Sequence, residues 1–147
     1  MGTAAAMRKF VSIITAIPRE PPFKEQLRRS LEDALPGTEG TRHFELRALG
    51  QDGESLFDGL ISTQRWTPER FLLRIRYQYD GTWPGLEGEI QTDIEDVRDA
   101  LLTPASWGAV GTYSIVAVLP AMKQTIDFTR EDGYYIPELE FTAWIAS

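Results

Sequence analysis

Six carboxylates crowd one short stretch of this 147-residue chain: Glu87, Glu89, Asp93, Glu95, Asp96 and Asp99. Acids three or four apart on a helix can converge on a divalent cation, which would activate a water for hydrolysis. No histidine and no Asp-x-Asp pair accompanies them. The simpler account is a solvated helix start, where carboxylates are stabilised by the helix dipole and Glu95 has a capping role. No metal site is therefore expected. His43 is the only histidine, so a Ser–His–Asp triad would have to be built on it alone. Its neighbours suggest no partners for that work. Cysteine is absent, which excludes thiolate catalysis, disulfides and cysteine-ligated metals. The glycines between Gly81 and Gly88 lack phosphate-cradling spacing, and no Lys-Ser or Lys-Thr follows them. No catalytic centre and no cofactor is expected.

The elements that must position these residues are legible as changes of period. Phe10–Ile17 fits a helical face through Phe10, Ile13, Ile14 and Ile17, yet its branched residues favour a strand. Both readings stay open, and residues 1–6 are expected to be a flexible tail. After a proline-rich joint, Phe23, Leu27, Leu31 and Leu35 recur every four residues and predict a helix that Pro36-Gly37 stops. From Arg42 the period becomes two, with Phe44, Leu46 and Ala48 alternating with Glu45 and Arg47. Gln51-Asp52-Gly53 predicts a turn, Leu56–Ile61 a weaker extended stretch, and Trp66-Thr67-Pro68 a corner. The clearest strand puts Phe71, Leu73, Ile75, Tyr77 and Tyr79 on one face and Arg74, Arg76 and Gln78 on the other.

Residues 80–85 form a loop in which Trp83 is a candidate protein-binding knob, weighed against a tryptophan folded over the sheet edge. A second helix is expected from Thr92, because Thr92 and Glu95 have capping-box spacing, with Ile94, Val97 and Leu101 as its apolar stripe and Pro104 as its end. Tyr113–Leu119 predicts a short strand. Thr125–Thr129 and Tyr134–Ile145 predict a hairpin turning at Glu131-Asp132-Gly133. In its last strand Tyr135, Pro137, Leu139, Phe141, Ala143 and Ile145 share a face, and Pro137 demands an edge there or a strand beginning after it. The fold class that results is α+β, with helices packed on a mainly antiparallel sheet in a single domain over residues 1–147.

Charge narrows the function. Residues 1–47 carry a net +2 and residues 48–147 a net −9, which is no footprint for tight nucleic-acid binding. Arg74 and Arg76 could track a phosphate backbone, but the tyrosines that would stack bases lie on the opposite face. Solvated arginines, or arginines paired to a neighbouring subunit's carboxylates, are the simpler expectation. No run of apolar residues is long enough to span a bilayer, and the start of the chain lacks the pattern of a signal peptide, so a cytoplasmic protein with no membrane partner is expected.

The segment TDIEDVRDALLTPASW at 92–107, with RFLLRIRY at 70–77 upstream, resembles the tail-terminator and tail-completion proteins of long-tailed bacteriophages. The layout likeness covers most of residues 23–147. It implies a structural virion protein, not an enzyme, assembled in the host cytoplasm. It would form a homo-hexameric ring that caps the tail tube beneath the head connector and lets DNA pass without specific binding. The acidic group Glu87, Glu89, Asp93, Glu95, Asp96 and Asp99 would then be available to face the lumen. Trp83, Arg74, Arg76 and Tyr135 would be candidates for contacts between neighbours, and the closing strand would lend a neighbour its edge. Alternatives of other classes are a head–tail connector or tail-tube protein, a ligand-binding α+β domain, and a metal-dependent hydrolase using the acidic cluster.

Overall fold

The structure, a computed structural model, describes residues 2–25, 41–51, 66–78, 85–107, 115–118, 123–125 and 134–146. Its first element is helix α1, Gly2–Thr15. Ala6, Phe10, Ile13 and Ile14 are buried at four-, seven- and eight-residue spacing, one stripe of a helix. The branched residues that argue for a strand are overridden by this packing. The expected tail over residues 1–6 is corrected as well, since the helix runs from Gly2 and Ala6 is fully buried.

The proline-rich joint does not lead into a helix at Phe23. Lys24–Glu25 is a two-residue strand, β1, running parallel to the start of β2, His43–Gln51. Phe23, just after Pro22, drops into the core, and the Lys24 amide donates to the Arg42 carbonyl at 3.0 Å. Leu27, Leu31 and Leu35 lie outside the described residues. The Gln51-Asp52-Gly53 turn past Gln51, and Leu56–Ile61, lie outside them too.

The sheet is centred on β3, Trp66–Gln78, and β7, Glu138–Ala146. β3 pairs antiparallel with β2 on one side and with β7 on the other. β4, Ile115–Val118, and β5, Lys123–Thr125, both pair antiparallel with β7, and β6, Tyr134–Tyr135, pairs with the end of β3. Strand order is β1-β2-β3-β7-β4, mixed but mostly antiparallel, so the α+β class holds. Trp66-Thr67-Pro68 is no corner but the beginning of β3, in register with Trp144–Ala146. β7 begins just after Pro137, as a residue without an N–H requires. It lies between β3 and the β4–β5 side, so it is not an edge strand. The turn proposed at Glu131-Asp132-Gly133 is outside the described residues.

Alternation decides which sheet face is covered. Phe44, Leu46, Phe71, Leu73, Ile75, Tyr77, Leu139, Phe141, Ala143 and Ile145 are all buried in one cluster with the helices. Ala48, expected to continue that face, is exposed at the point where the β2–β3 register shifts. Phe10 of α1 meets Phe71 edge-on at 5.3 Å and Phe141 edge-on at 5.2 Å, while Phe71 and Phe141 stack at 5.4 Å across the sheet. Tyr79 lies outside the described residues.

Helix α2 spans Leu86–Leu102, starting six residues before Thr92. Gly85 occupies the N-cap with φ 81°, a left-handed conformation that glycine adopts without strain. Thr92 is not a cap: its hydroxyl donates to the Gly88 carbonyl at 3.0 Å, one turn back within the helix. The capping role assigned to Glu95 falls with it. Glu87 and Glu89 are the acids of the first turn. The buried stripe is Leu86, Ile90, Asp93, Ile94, Val97 and Leu101. Thr103 and Pro104 end the helix, and the indole of Trp107 donates to the Leu101 carbonyl at 2.8 Å, satisfying a group the helix end would leave open.

Candidate functional site

The acidic stretch divides in two once α2 is in place. Glu87, Glu89, Glu95 and Asp99 are exposed, Asp96 is half-buried, and Asp93 is 1% exposed on the stripe that packs inward. Asp93 therefore faces no solvent or lumen. An ionised carboxylate is tolerated there only if fully paired. One oxygen accepts from Arg19 Nε at 2.8 Å, and the other from Arg42 Nε at 2.7 Å and the Tyr77 hydroxyl at 2.6 Å. Arg19 also bonds Asp96 through Nη2, and Arg42 Nη2 lies 3.6 Å from Glu89.

Four segments meet in this cluster. Asp93 comes from α2, Tyr77 from the end of β3, Arg42 from the turn before β2, and Arg19 from the joint after α1. Arg42 is the post that joins them. It sits in left-handed backbone with φ 62°, its amide donates to the Arg76 carbonyl at 2.7 Å, and its carbonyl accepts from Lys24. Its Nη1 donates to the Pro21 carbonyl at 3.1 Å, and its guanidinium lies 5.9 Å from the Phe23 ring centre. Burial, and then the charge of Asp93 and the hydrogen bond to it, hold the Tyr77 phenol well above its ordinary pKa. The hydrogen bond to Asp93 is the largest cause raising Arg19. Both Asp93 oxygens are thus engaged, one by Arg19 and the other by Arg42 and Tyr77, which leaves no open position for a reacting group.

The other sheet face carries the residues expected to be solvated or shared with a neighbour. Arg74 pairs within the chain instead, with Glu138 at 3.2 Å and Glu45 at 3.9 Å, its partners on the two flanking strands. Arg47 reaches Glu45 at 2.8 Å and Arg70 reaches Glu140 at 3.6 Å. Arg76 is 1% exposed and lies across from His43, whose pKa is lowered by burial and then by the charges of Arg76 and Lys24. Tyr135 is 8% exposed, opposite Tyr77. Arg76 and Tyr135 therefore offer a neighbour little surface, and Trp83 lies outside the described residues. No group of three or more metal-ligating side chains occurs among the described residues. No helix among them is long and apolar enough to cross a membrane.

The Asp93 cluster was not separable from the acidic run by composition. Its signal was the phase of the helix: Asp93 falls on the Leu86–Ile90–Ile94–Val97 stripe once the helix is extended back to Leu86. No protein-family model matches the chain, and no curated protein matches it.

Proposed function

We propose that this chain is a structural virion protein of the tail-terminator kind, which assembles with copies of itself into a ring that joins the tail tube to the head connector. In that role it catalyses nothing and holds no cofactor. The layout supports it over residues 66–146: the strand β3, an acidic second helix and closing antiparallel strands in one α+β unit.

The observation that carries the proposal is the division of charge around α2. Its outer side presents Glu87, Glu89, Glu95 and Asp99, with Arg98 as the helix's single basic residue. The nearby cations Arg19 and Arg42 are drawn inward by Asp93. A surface built this way repels phosphate at close range, so duplex DNA passes without being held. Since β7 is internal, intersubunit contact falls to another edge. Among the described residues β2 is paired on its outer side only at His43 and Phe44, and its own Leu49 is 39% exposed.

Negative-stain imaging of the purified protein, with an electrophoretic shift assay on duplex DNA, tests the proposal. Uniform rings that leave DNA unretarded are expected. A monomer, or tight retention of DNA, would contradict it.

A further inference from the structure

Residues 18–23 cross from α1 to β1 over the acidic side of α2, and almost nothing in their backbone holds them there. Pro18, Pro21 and Pro22 have no N–H to donate. The last amide bonded before them is Ile17, to Ile14 within the turn closing α1, and the next is Lys24, to Arg42. Attachment between those points comes from side chains. Arg19 grips two carboxylates one turn apart on α2, Asp93 and Asp96; Phe23 is 3% exposed in the core; and the Pro21 carbonyl accepts from Arg42.

The two arginines differ in a way that sets which end lets go. Arg42 has 4% of its side chain exposed and is tied through its own amide and carbonyl to β3 and β1. Arg19 has 20% exposed, and Asp96 has 45%, so water reaches that pair. Segments with few buried contacts and few backbone hydrogen bonds open at lower free energy than the fold around them. We propose that residues 18–22, between the turn at Ile17 and the buried Phe23, are a strap that opens as a local unit, with Arg19 as its releasable catch and Arg42 as its fixed post. Opening leaves Asp93 paired to Arg42 and Tyr77, so the core charge stays compensated while the strap is away. Pro18 also lines a groove of ≈ 410 Å³ together with Lys9, Ser12, Ile13, Ile17 and Ala100, and opening takes Pro18 out of that lining. The device is independent of ring formation.

Limited trypsin digestion with hydrogen-exchange mass spectrometry tests this on the full chain. Asp96→Asn removes the exposed half of the catch. Cleavage after Arg19 should rise about two- to fivefold, the range for a partly exposed ion pair. Arg19→Lys keeps a trypsin site but cannot grip Asp93 and Asp96 at once, so cleavage after position 19 should rise by more than in Asp96→Asn. In the wild type, peptides from α2 and β3 should stay protected from exchange over the time in which Arg19 is cleaved. No change in cleavage in either variant, or wild-type cleavage no faster than the opening of α2 and β3, would overturn the proposal.

Discussion

Removing the Asp93 carboxylate would leave the guanidiniums of Arg19 and Arg42 facing each other without their shared counter-charge. Breaking a buried ion pair from one side costs about 3–5 kcal/mol, a large share of a domain's stability. Asp93→Ala should show that loss in urea unfolding, whereas Glu95→Ala on the exposed side should stay within about 0.5 kcal/mol of wild type. Tyr77→Phe keeps both arginines on Asp93 and removes one donor, so its cost should be smaller, about 1.5–3 kcal/mol. The same variant has a signature in pH. The folded protein holds the Tyr77 proton above the ordinary phenol value of 10.0, which the unfolded chain follows. Stability from this group is therefore complete below about pH 10 and declines as pH rises past it. Unfolding curves from pH 9 to 11 should fall more steeply for wild type than for Tyr77→Phe; parallel curves would remove Tyr77 from the buried cluster.

At the scale of elements, α1 is held by one aromatic side chain more than by helix propensity. Phe10 touches Phe71 and Phe141 edge-on, on two strands that are paired at that position. Phe10→Ala should cost about 3–5 kcal/mol, and Leu73→Ala on the same sheet face about 2–5 kcal/mol. A loss within error for Phe10→Ala would mean that α1 is not part of the core. Two elements show what a sequence carries and what it withholds. β3 was legible because one covered face imposes strict alternation from Phe71 to Tyr77. The start of α2 was not, because Gly85 and Gly88 punctuate like a loop, and Thr92 with Glu95 mimics a cap. What decided it was tertiary: Leu86 and Ile90 find the core, and that burial outweighs a helical glycine worth about 1 kcal/mol. Lys24–Glu25 is the converse case, where a nearby backbone acceptor at Arg42 recruits a segment to the sheet.

For the whole molecule, the net −9 of residues 48–147 is a property of the surface only in part. Asp93 and Asp96 are engaged by Arg19 and Arg42, while Glu138 and Glu140 are engaged by Arg74 and Arg70. The α+β class was readable from strand alternation and turn signals. The partition of charge was not, since it depends on which helix phase and which strand partner each acid receives. In the proposed ring the acids that α2 turns outward, Glu87 and Glu95 above all, keep polyanions away and leave assembly to the sheet edges. A ring needs a heterologous contact repeated about one axis, so an edge such as β2 must meet a different surface of the next copy. Mass photometry of the purified protein tests that claim most directly. The account predicts one closed species of six 16.6 kDa chains, about 100 kDa, that keeps its size on dilution and in the presence of DNA. A population of monomers, or an open series of masses without a closed species, would contradict it.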